Sequence, residues 1–277
     1  MDFHPHPDVW AFIGGLLVVY VWLLRRERED GGAPVATRLQ KAAFISGVLS
    51  MWVVLDLLHE VAERHLYYVH TIQHIVLSLV APPLLLIGMP AQVMRRILGR
   101  GLLLEVARRL TRPVPALLIF NAVIALIHWP VLVEAMSRQE SVHVGVHLGV
   151  IGASLIMWTP VLSPLMELPK LSYPGRMFYL FLQSIVPTVP ASFLTFASTP
   201  FYRIYAEAPR LFGITALDDL RMAGLIMKLG GGFILWGIIT VLFFKWYSIE
   251  QEEGVDVLAW RDVDRELNRA SFRTGES

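Results

Sequence analysis

The sequence predicts an all-α polytopic membrane protein, a bundle of seven transmembrane helices. Only 17% of its 277 residues are charged, whereas ordinary soluble domains contain about 25%. The apolar residues also fall in blocks that approach or reach the length needed to cross about 30 Å of hydrocarbon. The predicted spans are residues 9–24, 40–58, 69–88, 114–133, 142–162, 177–197 and 222–244.

The connections between these spans are too short to hold a separate folded domain. We therefore expect one membrane domain, residues 1–246, and a cytoplasmic tail, residues 247–277. The first span is followed, not preceded, by Arg25, Arg26 and Arg28. Because a secretory signal carries its positive charges before the apolar stretch, this span is expected to be a retained anchor.

The later spans carry distinct interruptions. After the third span, the basic and partly apolar residues 89–113 fit either a short interfacial helix in contact with membrane lipid or a solvated basic loop. The fourth and fifth spans are apolar blocks with His near their ends. Pro187 and Pro190 predict a kink or break in the sixth span, because proline lacks the backbone N–H of a helix. The three glycines at 230–232 would let the seventh span approach a neighbour closely.

The positive charges predict the orientation of the chain. Most of the 24 Lys and Arg residues follow the odd-numbered spans, and positive residues are retained in the cytoplasm. The N-terminus is therefore expected outside and the C-terminus inside. The net charge is +1, and no basic stripe with interleaved aromatics is present, so no nucleic-acid partner is expected.

The nine His residues all map to the predicted outer face. They are His4 and His6 in the tail, His59 and His65 after the second span, His70 and His74 opening the third, His128 near the end of the fourth, and His143 and His147 opening the fifth. In the last two pairs, the i, i+4 spacing stacks two imidazoles on one face of a helix. Each such pair can share a metal ion.

The residue types restrict the chemistry of such a site. The chain contains no Cys, so its ligands must be imidazole, thioether or carboxylate. Imidazole suits copper, zinc and iron, and thioether favours Cu(I). Ionisable groups at membrane depth usually face the bundle interior and serve a function. The predicted metal ligands are His59, His70, His74, His128, His143, His147, Met222 and Met227.

Some of these residues also fit a purely structural role. His59 also fits a solvated loop residue at the membrane interface, and Met222 and Met227 also fit core packing. His4 and His6 fit either a solvated tail or a first point of metal capture.

Several motifs resemble one family. His70-Thr71-Ile72-Gln73-His74, followed by Ala81-Pro82-Pro83-Leu84-Leu85-Leu86-Ile87-Gly88-Met89-Pro90, is similar to the H-x-x-Q-H and A-P-P-L-L-L-x-G-x-P elements of the CtaG-type cytochrome c oxidase assembly factors. His128-Trp129-Pro130, the pair His143 and His147, and Phe201-Tyr202-Arg203-Ile204-Tyr205 resemble further elements of that family. Asp219-Leu220-Arg221-Met222-Ala223-Gly224-Leu225-Ile226-Met227 looks like its D-Q-x-x-A-G-x-x-M, with Leu220 in place of Gln. The resemblance covers residues 9 to about 246.

The resemblance implies a copper-binding protein of the bacterial inner membrane that helps deliver copper to a cytochrome c oxidase subunit. A periplasmic copper donor would be a second partner. Such a protein binds and delivers; it is not an enzyme. The residues alone also allow a haem-binding electron-transfer protein or oxidoreductase with axial His from the third and fifth helices. A His-lined proton pathway is a weaker alternative, because acidic relay residues through the membrane are missing.

Overall fold

The computed structural model describes residues 6–31 and 35–274, so His4 lies outside the described residues. It is 82% helical, and its described part contains no strand. The prediction of an all-α protein is therefore confirmed. In chain order the helices are Pro7–Gly31, Arg38–Trp52, Val53–Leu57, His59–Arg64, Tyr67–Ile75, Val76–Val80, Ala81–Gly88, Ala91–Leu98, Leu102–Leu110, Pro113–Ile127, Pro130–Arg138, Glu140–Leu162, Tyr173–Ile185, Thr188–Thr195, Arg203–Glu207, Ala216–Leu225, Ile226–Gly230 and Gly231–Thr274.

Six helical segments are long and apolar enough to cross a membrane. They are Pro7–Glu29 (span 1), Arg38–Leu57 (span 2), Tyr67–Gly88 (span 3), Glu140–Leu162 (span 5), Tyr173–Thr195 (span 6) and Ala216–Glu252 (span 7). A seventh crossing is counted only if Leu102–Leu110 and Pro113–Ile127 form one span, and these two helices are bent by 77°. The bundle therefore has six or seven candidate crossings. The last helix continues to Thr274, across the predicted end of the membrane domain.

The fourth predicted span, 114–133, differs from the structure. Its helix, Pro113–Ile127 (span 4), has 15 residues and is about 22 Å long at about 1.5 Å per residue. It ends because Pro130 forces the residue before it out of helical conformation, and Trp129 has ψ 127°. A separate helix, Pro130–Arg138, follows.

Charged contacts gather the connections after spans 1, 3 and 5 at one end of the bundle. Arg96 pairs with Glu27 at the end of span 1. Arg95 Nη2 lies 2.7 Å from Glu167 Oε1 in the loop after span 5, and Arg108 Nε donates to the Glu167 carbonyl oxygen at 3.1 Å. We call this the arginine end. Residues 91–98 and 102–110, in the connection after span 3, are helical, as the interfacial-helix interpretation expected.

Helix breaks and close contacts shape the opposite half of the bundle. The predicted break in span 6 is confirmed, since its two helices are Tyr173–Ile185 and Thr188–Thr195. Of the glycines at 230–232, two lie against span 3, since a Cβ added to Gly230 would lie 3.6 Å from Ile75 Cδ1 and one added to Gly231 would lie 3.5 Å from Leu79 Cδ1. The tightest approach of span 7 to a neighbour is at Gly224 instead. A Cβ added to Gly232 would meet nothing within 4 Å, whereas one added to Gly224 would lie 2.6 Å from the Ala191 carbonyl oxygen. Gly224 is thus the glycine that lets span 7 touch span 6.

Three of the spans contain a short π-helical segment. They are Val53–Leu57 in span 2, Val76–Val80 in span 3 and Ile226–Gly230 in span 7. In span 2 the N–H of Leu58 bonds the Val53 carbonyl instead of that of Val54, and Gln73 Nε2 donates to the Val54 oxygen at 2.6 Å. π-Segments often mark functional sites, and two of these three lie beside the predicted ligands His74 and Met227.

Candidate metal centre

Three helical segments carry the imidazoles that come together. His70 and His74 lie on span 3, and His143 and His147 lie on span 5. The short helix His59–Arg64, between spans 2 and 3, contributes His59. In each i, i+4 pair, both side chains lie on the same helix face. The two pairs face each other between the spans.

The contacts within this group are direct. The Nε2 atoms of His70 and His74 are 2.9 Å apart, and those of His143 and His147 are 3.3 Å apart. Across the helices, the ring centroids of His74 and His147 are 5.3 Å apart and those of His70 and His147 are 6.1 Å apart. All four side chains are buried. We call these four residues with Glu63 the imidazole cluster.

Glu63 completes the cluster, although sequence reasoning missed it. Its Oε1 lies 2.7 Å from His143 Nε2 and 3.6 Å from His70 Nδ1. Burial would raise the pKa of the Glu63 carboxyl, but the contacts with His143 and His70 outweigh burial and hold the pKa below its usual range. The carboxyl is therefore ionised beside the imidazoles. The signal available in the sequence was its i, i+4 spacing from His59 on one short helix.

The cluster fits a metal cation. Metal–imidazole bonds of about 2.0–2.1 Å in a tetrahedral site put neighbouring ligand atoms about 3.3 Å apart. Ligand atoms of Glu63, His143 and His147 all lie within 4.8 Å of one another. Glu63 Oε1 and His70 Nδ1 are buried and have no hydrogen-bond partner, and the close contact of Glu63 Oε1 with His143 Nε2 is an ion pair. Unpartnered buried polar atoms are costly, and a cation would satisfy them.

A second His pair borders the cluster. The rings of His6 and His59 are 4.3 Å apart, and the rings of His59 and His143 are 5.6 Å apart. The backbone N–H of His6 donates to the buried Asp56 carboxylate at 3.3 Å, and His6 Nδ1 lies 3.4 Å from the same oxygen. Burial lowers the pKa of His59, against the raising effect of nearby Glu63. The described N-terminal residues therefore reach the same end as the imidazole cluster.

An open cleft of about 660 Å³ connects the cluster with the exterior at this end. His59, Glu63 and His143 are among the residues that line it. The other charged residues that line it are Arg64, Glu134, Arg138, Glu140, Arg203 and Glu207. A hydrated ion can reach the imidazoles through such a polar opening.

Buried polar contacts fix the position of span 3. The Asp219 carboxylate on span 7 accepts the N–H groups of Tyr67 and Tyr68, each at 2.9 Å, and so caps the helix that carries His70 and His74. Carboxylates stabilise helix N-termini because they satisfy free N–H groups and oppose the helix dipole. Trp158 Nε1 on span 5 donates to the Ser78 carbonyl at 2.9 Å. These contacts hold the two His pairs opposite each other.

Two tyrosines hold the loops around the site. Tyr205 donates its hydroxyl to the Ala62 carbonyl at 2.8 Å, beside Glu63. Tyr202 donates to the His128 carbonyl at 3.0 Å. The motif Phe201-Tyr202-Arg203-Ile204-Tyr205 indicates no role for these tyrosines, and the structure gives them a positioning role.

Three of the predicted ligands, His128, Met222 and Met227, are not among the four imidazoles that contact each other. His128 contacts the Ile124 carbonyl through Nδ1 at 2.7 Å and lines a small cavity with His74 and Met227. Met222, 36% exposed, does not line that cavity. His65, which was not a predicted ligand, has its Nδ1 3.4 Å from the Pro209 carbonyl oxygen.

Comparison with known protein families gives one match. Residues 18–248 match the family described as Cytochrome c oxidase caa3 assembly factor (Caa3_CtaG). The chain belongs to this family. The resemblance drawn from the motifs is thereby confirmed, and no curated protein and no solved structure matches the chain. The match to the caa3 assembly factors includes the whole imidazole cluster and both methionines, whereas His6 lies before it.

Proposed function

We propose that this caa3 assembly factor binds copper in the imidazole cluster and helps deliver it to cytochrome c oxidase. The observation that carries the proposal is the convergence of His70, His74, His143 and His147 with ionised Glu63 in a buried site. Imidazoles suit copper, and the family assignment supplies the oxidase as the client. The protein acts by binding and transfer, without catalysis of its own.

The arrangement supports transfer because more ligands are present than one ion needs. A copper ion bound by some of the imidazoles can exchange one ligand for the next before it leaves the protein. Glu63 offsets the positive charge of the ion in a site from which water is largely excluded. The open cleft beside His59 gives a donor, expected in the periplasm, access to the site.

The proposal includes an orientation in the bacterial inner membrane. The imidazole cluster and the N-terminus would lie on the outer side, because the connections rich in Arg gather at the arginine end and positive residues are retained in the cytoplasm. Residues 1–246 would form the membrane domain, with the helices at 91–110 against lipid on the inner surface. Residues 247–277 would extend into the cytoplasm.

A haem-binding function receives less support from the geometry. A haem with axial His from two helices needs a flat slot between them. Here the imidazoles of spans 3 and 5 contact each other directly, with the His74 and His147 rings 5.3 Å apart at their centroids. A Soret band in the purified protein would favour haem over copper.

The direct test is the metal content of the purified protein in detergent. After loading with copper and removal of excess ion, wild-type protein is expected to retain copper, and Glu63→Gln and His147→Ala are each expected to bind it at least about tenfold more weakly. His65→Ala is the matched control, because His65 is a histidine near the same end that lies outside the cluster. Copper binding unchanged in both cluster variants would refute the site. If the purified protein retains zinc but no copper, copper is not the metal of the imidazole cluster.

A further inference from the structure

A small cavity lies inside the bundle on the side of His74 that faces span 7. Its volume is about 60 Å³, whereas a single water needs about 10–15 Å³ on a comparable scale. His74, His128 and Met227 line it. These three residues come from span 3, the end of span 4 and the π-helical segment of span 7.

His74 belongs both to the imidazole cluster and to the lining of this cavity. Its Nε2 contacts His70 in the imidazole cluster, and its ring also lines the cavity. Its Nδ1 is buried with no hydrogen-bond partner, and the side chain is 92% buried given its 8% exposure. A polar atom left unsatisfied in this way is costly. The cavity therefore starts where the imidazole cluster ends.

The ligand types of the two regions differ. The imidazole cluster combines imidazoles with a carboxylate, and the cavity combines two imidazoles with the thioether of Met227. Carboxylate oxygen suits harder cations, whereas thioether sulfur selects Cu(I). Met227 stands on the π-helical segment Ile226–Gly230, and no described carboxylate lines the cavity.

We propose that His74, His128 and Met227 form a second metal site, selective for Cu(I), inside the bundle and next to the imidazole cluster. This inference rests on the proposed copper function and adds a sequence of binding steps to it: Cu(I) enters through the cleft at Glu63 and passes, still as Cu(I), from the imidazole cluster through His74 to the inner site. Lys228 and Gly232 border the same cavity on span 7, where the Lys228 side chain is exposed and donates to Thr188 at 2.6 Å.

The test compares two methionines of span 7 that are five positions apart, of which only Met227 lines the cavity. Purified protein is titrated with Cu(I) under anaerobic conditions against a chromophoric Cu(I) chelator, and X-ray absorption reports on copper–sulfur scattering. Wild-type protein is expected to show a copper–sulfur component. Met227→Leu, a substitution that conserves volume, is expected to abolish that component and to weaken one class of Cu(I) sites about tenfold. Met222→Leu is the matched control and is expected to leave both signals unchanged.

The outcomes separate this inference from the proposed function. If wild-type protein shows no copper–sulfur scattering, or if Met227→Leu leaves it unchanged, the inner site is refuted. Copper binding that is lost in Glu63→Gln but unchanged in Met227→Leu and His128→Ala would overturn the inner site and retain the imidazole cluster. If Glu63→Gln and His147→Ala bind copper normally, the proposed function itself fails. The X-ray absorption spectrum of copper-loaded wild-type protein tests the inner site without any substitution. The inference can therefore be refuted even if a variant does not fold.

Discussion

The cap on span 3 can be tested quantitatively through Asp219→Ala. Asp219 is fully buried, and its two carboxylate oxygens accept the N–H groups of Tyr67 and Tyr68 at 2.9 Å. Both are first-turn N–H groups, which have no partner within the helix. The substitution leaves both without an acceptor, and each buried unsatisfied group costs about 1–3 kcal/mol.

The expected loss in the free energy of unfolding for Asp219→Ala is therefore about 2–6 kcal/mol. Asp219→Asn keeps one acceptor oxygen and is expected to lose about half as much. Asp218→Ala is the control, because Asp218 is the neighbouring residue and bonds Thr215 at the surface. It is expected to change the free energy by less than about 1 kcal/mol.

Reversible unfolding in mixed detergent micelles gives these free energies directly. The order expected is Asp219→Ala, then Asp219→Asn, then Asp218→Ala, from the largest loss to the smallest. Weaker copper binding is expected to follow the same order, because the capped helix carries His70 and His74. Equal stability of the Asp219→Ala and Asp218→Ala variants would refute the capping role.

Two further predictions follow from packing and burial. Gly224→Ala is expected to destabilise the protein by about 1–3 kcal/mol, because the added Cβ would lie 2.6 Å from both the Ala191 carbonyl oxygen and the Thr195 nitrogen. Gly232→Ala, where nothing lies within 4 Å, should have little effect, and equal melting temperatures for the two variants would contradict the argument. Burial lowers the pKa of His59 in the folded protein, so the unfolded chain takes up a proton first as the pH falls below about 6.5. Between pH 7 and 5.5, the melting temperature of the metal-free protein should therefore fall further in the wild type than in His59→Gln. Equal falls in the two proteins would exclude a contribution of His59 to the pH dependence of stability.

The sequence predicted the helical crossings and the gathering of His at one end for physical reasons. Long apolar blocks must cross the bilayer or be buried, and the alternation of crossings places every second connection on the same side. Seven spans were predicted in this way, and the structure has six or seven candidate crossings with the basic connections grouped at one end. The break at Trp129-Pro130 was missed because His128 and the apolar residues around it continue the hydropathy of span 4, although proline already favoured a helix end there.

The site could be predicted only in part, because hydropathy does not report rotation about a helix axis. The i, i+4 pairs were certain to share a face, but nothing in the sequence required the two faces to meet. Glu63 was missed because it lies in a short helix between spans, where an acidic residue normally meets water. The position of His128, which lines a cavity with His74, depends on where span 4 ends.

Residues in the motifs that resemble the family divide into ligand candidates and positioning groups. His70, His74, His143 and His147 contact each other, whereas Asp219 and Tyr205 bond the backbone of the segments that carry His70 and Glu63. A motif shared across such proteins can thus preserve the orientation of a ligand without containing it. This explains why Leu220 in place of Gln leaves the site intact: Leu220 is 3% exposed and packs with Tyr67 and Tyr205 in an apolar cluster, while the neighbouring Asp219 makes both contacts that cap span 3. Substitutions at Leu220 should therefore affect stability more than the chemistry of the imidazole cluster.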